Sequence, residues 1–286
     1  MHQILFTIPS TSIRIFSFGA MMVIAVWSAF ELARWRAKRE GLDPERVGDM
    51  AFFVILSGLI GARAFYVWEV WGKKGMTTIA DAFAIWNGGI VLYGSLLGAA
   101  MGFAIYRMLR PMPILRTLDV SAPSLALGAA FGRIGCFLNG CCYGDRCNLP
   151  WAVTFPQKSI PWWDHVEHHW ISEGAARSLP VHPTQLYSAF DGFLLVALLT
   201  FFFPLRKRDG EVMALLLVTY PLSRFLIERL RDDDGVYALG MTISQAISVL
   251  LLTGGILFWG WLRLCTPPRV GQESVAAKAI APSRPL

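Results

Sequence analysis

The stretch GRIGCFLNGCCYG, residues 132–144, sets one guanidinium, Arg133, among glycines and cysteines in a run otherwise free of charge. Arg63, Asp191, Arg224 and Glu228 interrupt apolar runs in the same way. A charge inside an apolar segment is expensive, and it persists where it pairs with another charge or serves a ligand. Guanidinium keeps its proton at any working pH and grips phosphate oxygens with a planar fork of donors, so this excess of arginine points to an anionic ligand. Arg224 and Glu228 stand four residues apart, the spacing that pairs them on one helix face, and Tyr220 shares that face one turn earlier. Ion pairing that locks helices together is the structural alternative for each charge, with Asp191 or Glu69 open as partner to Arg63.

The cysteines follow the pattern C-x4-C-C-x4-C at Cys136, Cys141, Cys142 and Cys147, with Cys265 apart. Three readings stay open. One is a disulfide involving Cys147 on an oxidising face of the membrane. A second is a metal site, for which this is no standard zinc spacing. The third is small packing residues beside a polar site. Packing with one disulfide is the expectation, and no metal is assigned. Nor is one assigned to His165, His168 and His169, which have no cysteine at ligand spacing.

These residues need elements to position them. The chain is 55% hydrophobic and only 16% charged, with mean hydropathy +0.48, a composition of polytopic membrane proteins. Eleven Trp and nineteen Phe suit interfacial belts and lipid-facing surface. Apolar runs at 15–30, 50–68, 82–106, 120–143, 184–205, 212–228 and 235–262 predict seven transmembrane helices. The expected fold class is an all-α integral membrane protein of about seven transmembrane helices with a small extracytoplasmic cap. Net charge +6 does not point to nucleic acid, because the basic residues lie in short clusters between apolar runs. Clusters at 34–46, 107–116, 206–208 and 263–284 place the N-terminus outside and the C-terminus in the cytoplasm. The basic cluster follows the first run, so that run reads as a retained helix and not as a cleaved signal peptide. One transmembrane domain then covers 1–265, with the cap at 145–183 and a disordered cytoplasmic tail at 266–286, rich in Ala, Pro and Ser.

Small residues repeat every four positions at Gly94, Gly98 and Gly102, and at Gly128, Gly132, Cys136 and Gly140. Such faces let helices approach closely. Gly88-Gly89 predicts a bend before Tyr93, which irregular backbone at membrane depth tolerates only against protein or a wet cavity.

Several segments, in order, resemble one family. They are FSFGAMM (16–22), GARAFYV (61–67), IWNGGIVLYGSLLG (85–98), GRIGCFLNGCCYG (132–144) with NLPWAVTFP (148–156), HPTQLYSAFDG (182–192), TYPLSRFLIERLR (219–231) and MTISQAIS (241–248). Together they are similar to prolipoprotein diacylglyceryl transferases. The resemblance implies a seven-helix bacterial inner-membrane enzyme that moves a diacylglyceryl group from phosphatidylglycerol to the lipobox cysteine of a prolipoprotein. The products are a thioether and glycerol phosphate, and no cofactor is required. Its implied partners are phosphatidylglycerol and prolipoprotein signal peptides. It assigns Arg133, Asn139, Gly144, Tyr220, His182 and Arg63 to substrate binding, and Arg224, Glu228 and Tyr93 to catalysis. Arg133 matches the family's signature arginine, expected to bind the lipid head group, and Arg224 matches a second essential arginine. Asn139 offers a hydrogen bond either to a glycerol hydroxyl or to backbone near the helix end, and His182 reads either as a cap or loop contact or as a residue near the rim.

The chain departs from the family's pattern at particular positions. Phe18 replaces a tyrosine, Tyr93 a histidine of base-like role, Cys136 an asparagine, and Cys141 and Ser188 glutamates. A phenol is a poor base near neutral pH. The lipid site therefore carries over better than the base, and a divergent, non-catalytic phospholipid-binding paralogue is the alternative reading.

Overall fold

The computed structural model describes residues 4–7, 14–71, 79–83, 89, 91–231 and 240–269. The chain is mostly helical and divides into two compact units, Ala33–Thr117 and the combination of Met1–Leu32 with Leu118–Leu286.

Two short strands, β1 (Ile4–Thr7) and β2 (Arg14–Phe16), pair antiparallel ahead of the first helix. The all-α expectation did not include them. The helix α1 follows over Ser17–Arg39 and closes with Arg36, Lys38 and Arg39, cations that suit a helix C-terminus. Gly41, at φ +68, turns the chain into α2 (Pro44–Val70). Asp43 caps α2 by accepting from the N–H of Glu45 at 3.0 Å, and Pro44 fills a first-turn position that needs no N–H.

The predicted run 82–106 is broken, as the double glycine suggested. A short helix α3 (Ile79–Phe83) precedes α4 (Leu92–Leu109), and Gly89 between them has φ +86. Gly88 lies outside the described residues. Within this unit α2 packs on α4 through backbone. A Cβ on Gly61 would sit 2.4 Å from the Gly94 carbonyl oxygen, and one on Gly98 would sit 2.3 Å from that of Ser57. The 94/98/102 row is therefore a helix crossing, as its spacing predicted.

In the other unit α5 covers Ile114–Asn139, from the point where its unit assignment begins at Leu118, and a cap segment runs from 145 to 183 around α6 (Ile160–Glu167). Then come α7 (Thr184–Phe202), extended by a 3-10 turn at Phe203–Leu205, α8 (Glu211–Glu228) and α9 (Ile243–Cys265). Here α7 packs on α8, and α8 on α9. Pro221 interrupts α8 and has no N–H for the Leu217 carbonyl one turn back. Gly255 of α9 lies against that carbonyl, where a Cβ would stand 2.8 Å from the oxygen. By contrast, a Cβ on Gly128 of the second small-residue row would meet Ala29 Cβ at 3.6 Å and the Ala25 carbonyl oxygen at 3.8 Å, both ordinary contacts.

A buried polar knot starts α8. Asp119 and Arg206 are 0% and 1% exposed and pair at 3.3 Å. Asp119 also accepts from the N–H groups of Gly210, Val212 and Met213 at 2.8, 2.9 and 3.1 Å, satisfying donors that a helix start leaves open. The first residues of the expected tail are tied down beside it. Arg208 donates to the Thr266 carbonyl at 3.0 Å, and Arg269 pairs with Asp209 at 3.0 Å. Residues 270–286 lie outside the described residues.

Among the described residues, five helices are long and apolar enough to cross a membrane: 17–39, 44–70, 114–139, 184–205 and 243–265.

Candidate active site

The apolar face of α5 leaves Arg133 half-buried beside α7 and α8. A small cavity of about 30 Å³ opens there, lined by Arg133, Ser188, Asp191, Tyr220 and Arg224 among small apolar residues. Both guanidiniums that the sequence singled out therefore face one hollow. Gly192 of α7 makes this possible, since a Cβ there would lie 2.8 Å from Ala130 of α5.

The two cations differ in how they are held. Arg224 pairs with Glu228 at 2.5 Å, one turn on, as the spacing predicted, and donates to Ser244 of α9 at 3.2 Å. Glu228 is 1% exposed and lies 3.5 Å from the hydroxyl of Thr242, which caps α9 in a capping box with Gln245. Arg224 is thus fixed and largely neutralised. Among the described residues, no hydrogen bond or ion pair engages the Arg133 side chain, so its donors remain for a ligand. Asp191, also on the hollow, accepts from Ser223 at 2.7 Å.

The signature glycines end α5. Gly140, at φ +80, donates to the Cys136 carbonyl at 2.9 Å, the left-handed closure that favours glycine. Asn139 is the last helical residue, and the Cys141 thiol beyond it donates to the Cys136 carbonyl at 3.7 Å. Gly144 has a packing role: its N–H donates to the His182 carbonyl at 3.0 Å, and a Cβ would lie 2.3 Å from the Leu230 carbonyl oxygen. His182 Nδ1 stands 3.3 Å from the Tyr187 hydroxyl, which accepts from the Trp151 indole at 2.7 Å. Phe18 lies on the α5 backbone, 3.3 Å from a Cβ built at Gly135. All five cysteines are free thiols, so the expected disulfide is not formed.

The cap adds a larger recess of about 710 Å³ between Tyr143–Asn148 and the α6 end, with Asp164, His165, His168 and Trp170 on its wall. His165 is a core residue there, as its 1% exposure and the bond it accepts from the Leu179 N–H at 3.0 Å attest. Burial holds its imidazole pKa below the ordinary value. The field of Asp164 opposes that shift, and those of Arg146 and His168 add to it.

Arg63 and Tyr93 belong to the other compact unit. Arg63 donates to the carbonyls of Asp81, Ala82 and Gly89 at 2.6, 2.8 and 3.1 Å and lies over the Tyr66 ring. The sequence reading had offered Asp191 or Glu69 as its partner. Tyr93 opens the first turn of α4 and is 45% exposed.

Comparison with known proteins bears on this arrangement. The family model described as prolipoprotein diacylglyceryl transferase matches residues 3–261. A phosphatidylglycerol–prolipoprotein diacylglyceryl transferase of Clostridium perfringens is 29% identical, over 91% of this chain and 96% of its own. Those of Clostridium tetani and Thermotoga maritima are 30% and 33% identical, covering 85% and 86% of this chain and 92% and 80% of theirs. Matched across nearly its whole length, the chain belongs to the prolipoprotein diacylglyceryl transferase family.

Proposed function

We propose that this protein transfers the diacylglyceryl group of phosphatidylglycerol to the lipobox cysteine of prolipoproteins in the bacterial inner membrane. The observation that carries the reading is the pairing of a fixed, neutralised Arg224 with an unengaged Arg133 on one hollow. The donor is a phosphodiester with one negative charge. Breaking its carbon–oxygen bond adds a second charge to the departing glycerol phosphate. Preorganised guanidiniums in a low-dielectric site stabilise that developing charge more than the ground state.

In this reading Arg133 binds the head group. Arg224, oriented by Glu228, meets the leaving phosphate, and Tyr220 shares its face. Asn139 and His182 border the entry of the acceptor, and Tyr93 supplies a hydroxyl donor in place of a base. Gly144 shapes backbone around the site, and Arg63 holds backbone within its own compact unit. The chain crosses the membrane seven times, with its N-terminus outside and C-terminus in the cytoplasm. Residues 145–183 form the extracytoplasmic cap, and 266–286 form the cytoplasmic tail. The names of the relatives favour the transferase over a non-catalytic lipid-binding paralogue.

The test is direct. Purified protein, phosphatidylglycerol vesicles and a lipobox peptide are combined, and peptide mass and released glycerol phosphate are followed. A peptide heavier by one diacylglyceryl group, with one glycerol phosphate released per peptide, is the expected result. Lipid binding with no change in peptide mass would establish the paralogue instead.

A further inference from the structure

The turn that closes α5 gathers three of the thiols whose spacing matches no standard zinc pattern. The sulfurs of Cys136, Cys141 and Cys142 all lie within 4.8 Å of one another, and each residue is half-buried. The turn is held from several sides. Gly140 and Cys141 both donate backbone N–H groups to the Cys136 carbonyl, at 2.9 and 3.1 Å. From α7, Thr184 donates to the Cys142 carbonyl and Gln185 to the Cys141 carbonyl, each at 2.8 Å. Cys142 is held at φ +61, a left-handed backbone uncommon for a residue with a side chain and one that clusters at functional sites.

The geometry points to a thiophilic divalent cation, zinc by ligand type, held by the sulfurs of Cys136, Cys141 and Cys142 with its fourth position open to the acceptor cysteine. Zinc–sulfur bonds of about 2.3 Å set sulfurs roughly 3.8 Å apart, a small contraction of the cluster seen here. Three protein ligands with one open position is the arrangement of catalytic zinc. Three thiolates and a divalent cation leave one net negative charge, and the fields of Arg231 and Arg133 both reach Cys142 to balance it.

The inference rests on the transferase reading for the identity of the fourth ligand, and it answers the question that reading leaves, namely what deprotonates the acceptor. A thiol bound to zinc gives up its proton to solvent. The bound thiolate then attacks the glyceryl carbon of phosphatidylglycerol. A carbon–sulfur bond forms, the carbon–oxygen bond breaks, and its electron pair leaves on glycerol phosphate beside the arginines. The thioether, a weaker ligand, departs from the metal. Phosphatidylglycerol and thiol become thioether, doubly charged glycerol phosphate and one proton, with no change of oxidation state.

Cobalt(II) is the probe. Reduced, detergent-purified protein titrated with Co²⁺ should take up one equivalent and develop thiolate-to-cobalt charge-transfer absorption. The band should be lost in C136S, C141S and C142S but retained in C147S and C265S. A lipobox peptide should alter the spectrum, and its Cys→Ser version should not. Stripping metal with a chelator should slow lipid transfer about 100-fold, and zinc should restore it. No thiolate band in wild-type protein, or alkylation showing two of the three thiols joined in a disulfide, overturns the inference. So does full transfer by stripped protein, which leaves the transferase reading intact. Metal and peptide coordination without any lipid transfer overturns the transferase reading and leaves the three-cysteine metal site standing.

Discussion

The α2–α4 pair and the α5–α7–α8 cluster use small residues to opposite ends. Between α2 and α4, glycines remove side chains so that backbone meets backbone, and the contact is filled. Around α5, Gly192 brings α7 close while Arg133, Asp191 and Arg224 line a small hollow beside it. The first contact is a matter of shape and tolerates no added atom. The second is a matter of charge and depends on which cation is already satisfied. A glycine row in sequence is therefore no guide to a tight crossing unless the partner backbone is known. The 94/98/102 row makes one, and the row through Gly128 does not.

Substitutions can separate the two designs. The largest effect is expected at Glu228→Ala, which strands the Arg224 cation where its partner is 1% exposed. Loss of one member of such a pair costs about 3–5 kcal/mol. Thermal melts in detergent would read it, and a variant as stable as the parent would mean that Arg224 finds water. Arg133→Ala should lower transfer about 10²- to 10³-fold, the effect of removing one preorganised donor at a developing anion. Its folded yield should stay unchanged, because no side-chain partner among the described residues is lost; a native rate would remove Arg133 from the site.

Smaller effects test the crossing. Gly98→Ala places a methyl 2.3 Å from the Ser57 carbonyl oxygen and should cost about 1–3 kcal/mol. Gly128→Ala meets Ala29 at 3.6 Å and should stabilise by about 0.5–1 kcal/mol through helix propensity. Equal effects from the two would erase the distinction between the rows.

The smallest effect is in the cap. The buried His165 resists protonation, whereas an unfolded histidine takes up a proton near pH 6.5. The unfolded state then binds more protons below that value. Cap stability should hold above about pH 6.5 and decline as pH falls through it towards the lower folded value. Hydrogen exchange of residues 160–181, compared across pH after correction for intrinsic rates, would show faster opening in acid. His165→Asn, which keeps an acceptor for the Leu179 N–H, should flatten the profile.

What could be read from the chain followed from how local each feature is. The Arg224–Glu228 pair was visible because helix geometry fixes a four-residue spacing. The break before α4 was visible because adjacent glycines announce it, as Gly89 at φ +86 bears out. The carbonyl partners of Arg63 were not legible because they lie 18 to 26 residues away, at Asp81, Ala82 and Gly89, where no fixed helical spacing announces them. The thiol cluster was hidden because a left-handed glycine folds the chain back over the last turn of α5. No linear spacing rule encodes that reversal. Asp119 drew no notice because it stands at the edge of an apolar run, with its donors at residues 206–213.

The Asp119 knot also constrains how this chain is made. While the ribosome has delivered only as far as α7, the Asp119 carboxylate lacks the amides of Gly210, Val212 and Met213 that later surround it. An early-synthesised helix therefore waits for a late one before its acid is satisfied. Nascent chains truncated before residue 206 should be targets for membrane quality control, and chains ending just past α8 should escape it.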